Sequence, residues 1–193
     1  NRAWEAIDVP VLEEIPFVPD VDKLFSRLGV DRSVDFASEV LALTERVGRV
    51  ARPKAVFLEC FVKERGEETV TIGRVTFTSR VLRANLESVH RVFPFVATCG
   101  VEMDALLGDY DDLLGYCLEC LKEQALRAAH RYLLAHLKEV YGLRGISSMN
   151  PGSGDRDVWP LEQQAQLFAL LGDVEGQVGV QLTDSFLMQP NKT

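Results

Sequence analysis

The sequence predicts an α+β fold: an antiparallel twisted sheet with a long spine helix and flanking helices. Three observations carry that prediction. Helix-period and strand-period segments follow one another without the regular alternation a doubly wound parallel sheet needs. Between Val56 and Phe77 apolar residues recur every second position around a turn at Arg65-Gly66-Glu67, the pattern of a β-hairpin or meander. From about Asp111 to Tyr141 they recur at helical spacing, without an internal proline, over a length of roughly 45 Å at 1.5 Å per residue.

In chain order, the first twenty residues carry Pro10, Pro16 and Pro19 and read as an extended arm with an edge strand near Val9 to Leu12. Asp20 caps a short helix, Val21 to Leu28, that Gly29 stops. Ser33 starts a second, running to about Ala51 before Pro53, with Val34, Ala37, Val40, Leu43 and Val47 at three- and four-residue steps. The alternating segment follows. Ser79 then caps a helix through roughly His90 with Val81, Leu82 and Leu86 inward, and Val92 to Cys99 forms an apolar strand in which Pro94 marks an edge or bulge. Val101 to Leu107 makes a short helix. The spine helix places Leu114, Leu118, Leu121, Ala125, Ala128 and Tyr132 on one stripe, with Asp111 and Asp112 at its positive end. Pro160 opens a further helix that Gly172 closes, and Val178 to Thr183 reads as a last strand. All 193 residues are expected to form one domain, 1–193, of which 1–20 is the arm.

Composition excludes several functions. A net charge of −8 with no separate basic patch repels a phosphate backbone, so nucleic acid is not an expected partner. No apolar run approaches the roughly 20 residues of a membrane span, and the N-terminal stretch has acids and prolines where a signal peptide has an apolar block, which points to a cytoplasmic protein. Cys60, Cys99, Cys117 and Cys120 form no disulfide framework. Cys117-x-x-Cys120 falls inside the spine helix, and buried apolar cysteines are favoured there over a metal or cluster site, so no metal ligand is expected. Gly152-Ser153-Gly154 lacks nucleophile-elbow spacing, no G-K-[ST] follows it, and His90, His130 and His136 have no zinc-site spacing. No catalytic acid, base or nucleophile is identifiable.

The richest stretch is SSMNPGSGDRDVWP, Ser147 to Pro160. Pro151-Gly152 and Gly154 favour tight turns, polar side chains crowd the loop, and Met149, Val158 and Trp159 offer apolar anchors. Two readings stand side by side: a ligand-contacting loop and a plain connection between helices. Asp155 and Asp157 suit a cation better than an anion.

Several segments in order resemble one family. P-G-x-G-D (Pro151 to Asp155), W-P-L-E-Q-Q (Trp159 to Gln164), G-V-x-L-T-D-S-F-x-M-x-P (Gly179 to Pro190), F-V-A-T-C-G (Phe95 to Gly100) and the helix end from Arg131 to Gly142 resemble the activation domain of cobalamin-dependent methionine synthase and its stand-alone relatives in anaerobes. The second half of the chain carries the likeness; the first half agrees in element order. The resemblance implies a stand-alone activation-type protein, an accessory subunit of a corrinoid-dependent methyltransferase. It would bind S-adenosylmethionine beside cobalamin carried by a partner, so that cob(II)alamin is reductively methylated. It further implies binding positions at Thr98, Gly100, Ser148, Pro151, Gly152, Ser153, Gly154, Asp155, Arg156, Asp184 and Ser185. The family's R-x-x-P-G-Y is altered: Ser148 stands at its Arg position and Ser153 at its Tyr position. An Arg–carboxylate contact is worth about 1.5–3 kcal/mol, and Arg144 or Arg156 is the available substitute. The alternative is a corrinoid-protein docking or scaffold module that keeps the fold and has lost the donor site.

Overall fold

The computed structural model describes residues 9–106, 108, 112–152 and 158–193. In order these form β1 (Val11–Leu12), α1 (Val21–Leu28), α2 (Ala37–Val50), β2 (Lys54–Phe57), β3 (Cys60–Arg65), β4 (Thr69–Ile72), β5 (Val75–Thr78), α3 (Arg80–Asn85), β6 (Arg91–Val92) and β7 (Phe95–Thr98). There follow a 3-10 turn over Val101–Leu106, α4 (Asp112–Tyr141), a second 3-10 turn over Leu161–Gln163, α5 (Gln164–Leu171), α6 (Val174–Val178), β8 (Gln181–Leu182) and β9 (Met188–Gln189). All sheet pairings are antiparallel, in orders β1-β2-β7, β5-β4-β3-β6 and β8-β9.

The first two sheets are one bent ladder. Phe57 pairs with Phe95, and three residues along, Cys60 pairs with Val92, so the register is unbroken across the gap. Leu58 still donates to Pro94 O at 3.0 Å. Pro94 has no N–H to return, so the ladder is interrupted there and the strand expected from Val92 to Cys99 divides in two. The alternating run likewise divides at Leu58-Glu59, which puts β2 in the first sheet and only β3, β4 and β5 in the meander.

Alternation along the first sheet gives it two buried faces. Ala55, Phe57 and Ala97 pack on Ala129, Leu133 and Leu137 of α4. Val56 and Val96 pack oppositely on Leu171, Val174, Val178 and Val180. The N-terminal half of α4, through Leu118, Leu121 and Ala125, instead supports α1 and α2 through Leu24, Val40, Leu43 and Val47. A fourth cluster, Val62, Val70, Phe77, Leu82, Trp159 and Leu170, lies under the second sheet. The spine role of α4 therefore holds, with Leu118, Leu121, Ala125 and Ala128 of the expected stripe buried; only at its far end does the stripe shift, where Leu133 is buried and Tyr132 is 40% exposed.

Helix ends follow their caps. Asp20 accepts from Lys23 N at 2.9 Å, and Gly29 ends α1 at φ +70°. Ser33 does not cap α2. Its N–H and hydroxyl both turn onto Asp31, holding that carboxyl below its usual range, and the helix starts four residues later at Ala37. Ser79 does cap α3, accepting from Leu82 N, but the helix stops at Asn85, and Val81 is 37% exposed rather than inward. The strand expected over Val178 to Thr183 starts later than the sequence suggests: Val178 is the last residue of α6, a helix that Asp173 starts by accepting from Gly176 N at 2.9 Å and that Gly179 ends at φ +75°. Only Gln181 and Leu182 remain extended.

Candidate functional site

Gly142 at φ +64° ends α4, and the chain then crosses from one core to another. Leu143 and Ile146 pack with the α4 cluster, while Met149 packs with the cluster under the second sheet. Ser148 is exposed and Pro151 buried. Gly152, at φ +78°, donates to Trp159 O at 2.8 Å and so closes the loop on itself. A Cβ there would sit 2.7 Å from Leu161 Cδ1. Ser153, Gly154, Asp155 and Arg156 lie outside the described residues.

The far side of the loop is clamped to β5 and α3. Trp159 is buried edge-on to Phe77, ring centroids 5.9 Å apart. Its indole N–H donates to Gln163 Oε1 at 3.2 Å, and the Gln163 amide also pairs with both backbone groups of Thr78. The Ser79 hydroxyl, while capping α3, donates to Val158 O. Of the apolar anchors expected in this loop, Met149 and Trp159 pack on the cluster under the second sheet, whereas Val158 is held through its backbone carbonyl.

Thr98 and Gly100 form a second group at the end of β7. Thr98 is fully buried, and its hydroxyl accepts from Gly100 N at 3.2 Å and from Thr193 Oγ1 at 3.3 Å. Gly100, at φ +96°, admits no side chain, because a Cβ would lie 2.4 Å from Arg52 O. The C-terminal residues cover this corner: Cys99 N donates to Lys192 O at 3.0 Å, and Asn191 Nδ2 donates to Glu119 at 2.8 Å. Beneath lies Lys122, fully buried, with Nζ 2.6 Å from Asp104 and 3.7 Å from Glu119. Lys54 pairs with Glu102 at 2.9 Å alongside, and Lys192 with Glu119 at 3.4 Å. Burial pushes the Cys99 thiol up to about 12, and the neighbouring Lys122 cation offsets only part of that.

Asp184 and Ser185 occupy the exposed turn between β8 and β9, where the hydroxyls of Ser185 and Thr183 lie 2.9 Å apart. Four residues beyond β9 the chain reaches Thr98. Thr98 and Gly100 are thus brought together with Thr193, at the end of the segment that follows Asp184 and Ser185 in the chain. Gly152 lies instead against Trp159 and Leu161, and Trp159 is part of the cluster under the second sheet. An open groove of about 350 Å³ between α5, α6 and β8 is lined by Phe168, Asp173, Val174, Glu175 and Val180, among others, and by none of the expected binding residues that are described.

Sequence reasoning missed the charged network and the Gln163 clamp. Lys122 had a signal: it lies on the face of α4 that Leu118, Leu121 and Ala125 bury, and a lysine there requires a carboxylate partner. Gln163 had none, because its partner Thr78 is 85 positions away.

A bent antiparallel ladder, backed on one side by a 30-residue helix and on the other by short helices and a hairpin, defines an activation-domain-like α+β fold. The particular protein it resembles is a MetH reactivation domain, whose crystal structure was obtained bound to AdoHcy: the TM-score is 0.63 over 95% of this chain and 75% of that one, at 17% sequence identity. No family model matches the chain, and no curated protein is significantly similar to it. The likeness is one of fold.

Proposed function

We propose that this chain is an activation-type module that binds S-adenosylmethionine and works beside a corrinoid-bearing protein. One observation carries the reading: the fold is that of a domain whose crystal structure holds AdoHcy, the demethylated form of the same donor. The sequence motifs that resemble that family include Pro151-Gly152 and Trp159, at the two fastened ends of the loop, and the turn at Asp184 and Ser185. S-adenosylmethionine supplies a methyl group on a sulfonium whose leaving group is AdoHcy, and a one-electron-reduced corrinoid on the partner would accept it. Such a transfer asks the protein for alignment and exclusion of water, not for an acid or base. The net negative charge of the chain, with Asp184 exposed, suits a cationic donor.

Calorimetric titration with S-adenosylmethionine and with AdoHcy tests this. Micromolar binding supports the reading; absence of heat at millimolar ligand ends it.

A second reading, a corrinoid-protein docking module without donor binding, is favoured by a specific feature: Ser148 presents a neutral hydroxyl where the family carries Arg. Arg144 is exposed four residues away. An Arg144→Ala variant that binds the donor as tightly as wild type excludes Arg144 as the substitute. Anaerobic pull-down of a corrinoid-bearing protein by a chain that gives no heat with either ligand selects the second reading.

A further inference from the structure

Gln163 does the work of a strand for β5. This strand is the outer one of the second sheet, and Thr78 turns its N–H and C=O away from β4. Gln163 meets both: Oε1 accepts Thr78 N–H at 3.0 Å, and Nε2 donates to Thr78 O at 2.7 Å. The same Oε1 takes the Trp159 indole N–H at 3.2 Å, which fills its acceptor capacity. The residue is 9% exposed. An apolar side chain of equal size would fill this space without the cost of desolvating an amide. What the amide adds is placement, because its donor and acceptors are satisfied only with Thr78 and Trp159 in this one arrangement. Trp159 in turn supplies the carbonyl that closes the loop at Gly152, and the next residue back, Val158, is tied to Ser79.

We propose that Gln163 is a positioning residue: it sets the Gly152–Trp159 closure, and through it the affinity for an adenosyl ligand that it does not touch. The inference rests on the donor-binding reading above, and its test separates the two. Wild type, Gln163→Met and Gln163→Glu are titrated with AdoHcy, and amide exchange is followed at Gly152, with Val70 and Leu121 as core references. Gln163→Met keeps the volume and loses the polar pairing. It is expected to bind about tenfold more weakly or worse, equivalent to one hydrogen-bonded contact, and to exchange faster at Gly152 with the references unchanged.

Gln163→Glu supplies the readout that space-filling would not move. A protonated carboxyl still accepts from Thr78 N–H and Trp159 and donates to Thr78 O, whereas a carboxylate faces that carbonyl with no proton. Its affinity relative to wild type should therefore approach one at low pH and fall as pH rises. No binding by wild type at millimolar AdoHcy overturns the donor-binding reading and this inference together. Wild-type binding with Gln163→Met unchanged, or a pH-independent ratio for Gln163→Glu, overturns this inference alone.

Discussion

Lys122 is a lysine buried on the same face of α4 as Leu118, Leu121 and Ala125. An ammonium with no solvent exposure is tolerated because Asp104 and Glu119 sit within ion-pair distance of it. Asp104 is 39% exposed on its side chain, so the pair is buried at one end and wet at the other. Removing the carboxylate leaves the cation buried with only the longer Glu119 contact. Asp104→Ala should therefore cost about 2–4 kcal/mol, toward the lower part of the range for breaking buried pairs, whereas Lys122→Met should be close to neutral. Urea unfolding of the two variants distinguishes them, and equal losses would refute the asymmetry. Cys99, beside this network, gives a pH prediction. Its thiol stays protonated in the fold to about pH 12, while in the unfolded chain it ionises near the ordinary thiol value of 9.0. Between those values the native state binds the extra proton, so stability falls as pH rises from about 9 towards 12 and is unaffected by this group below 9. A Cys99→Ala variant should show a shallower decline over that window in chemical unfolding.

At the scale of elements, α3 and the loop before α5 share one side chain. The Ser79 hydroxyl caps α3 through Leu82 N and also donates to Val158 O. Ser79→Ala should cost about 1–2 kcal/mol, the upper part of the capping range, because a second bond is lost with the cap. Loss of protection should appear in both the Leu82 amide and the loop in hydrogen exchange; loss confined to Leu82 would show that the loop does not depend on it. The elements also show what local signals can and cannot deliver. Asp20, Gly29, Ser79 and Gly172 were legible as helix boundaries because each cap is satisfied within a few residues of itself. Ser33 misled because Asp31 competes for it, and α6 was missed because apolar Val178 and Val180 outweighed the short capping signal of Asp173. The break in the ladder at Pro94 was foreshadowed by a proline; the division of the strands on either side of it between two sheets was not.

For the whole molecule, ligand binding gives the broadest check. A ligand that binds only the native state adds about 2.7 kcal/mol at a concentration 100 times its dissociation constant, so AdoHcy at that level should raise the thermal midpoint by several degrees. No shift at millimolar AdoHcy would speak for the docking reading. Among the described residues four apolar clusters, rather than one, make up the core, and α4 belongs to two of them. The amino-acid sequence by itself determined the α+β class, the spine helix, most caps and the family motifs, because periodicity and capping are local and survive without knowledge of the fold. Tertiary structure alone decided that Lys122 is buried against carboxylates, that Gln163 completes β5, and that the C-terminal residues lie on Thr98 and Cys99. Each of those depends on partners far apart in the chain, and only folding brings them within bonding distance.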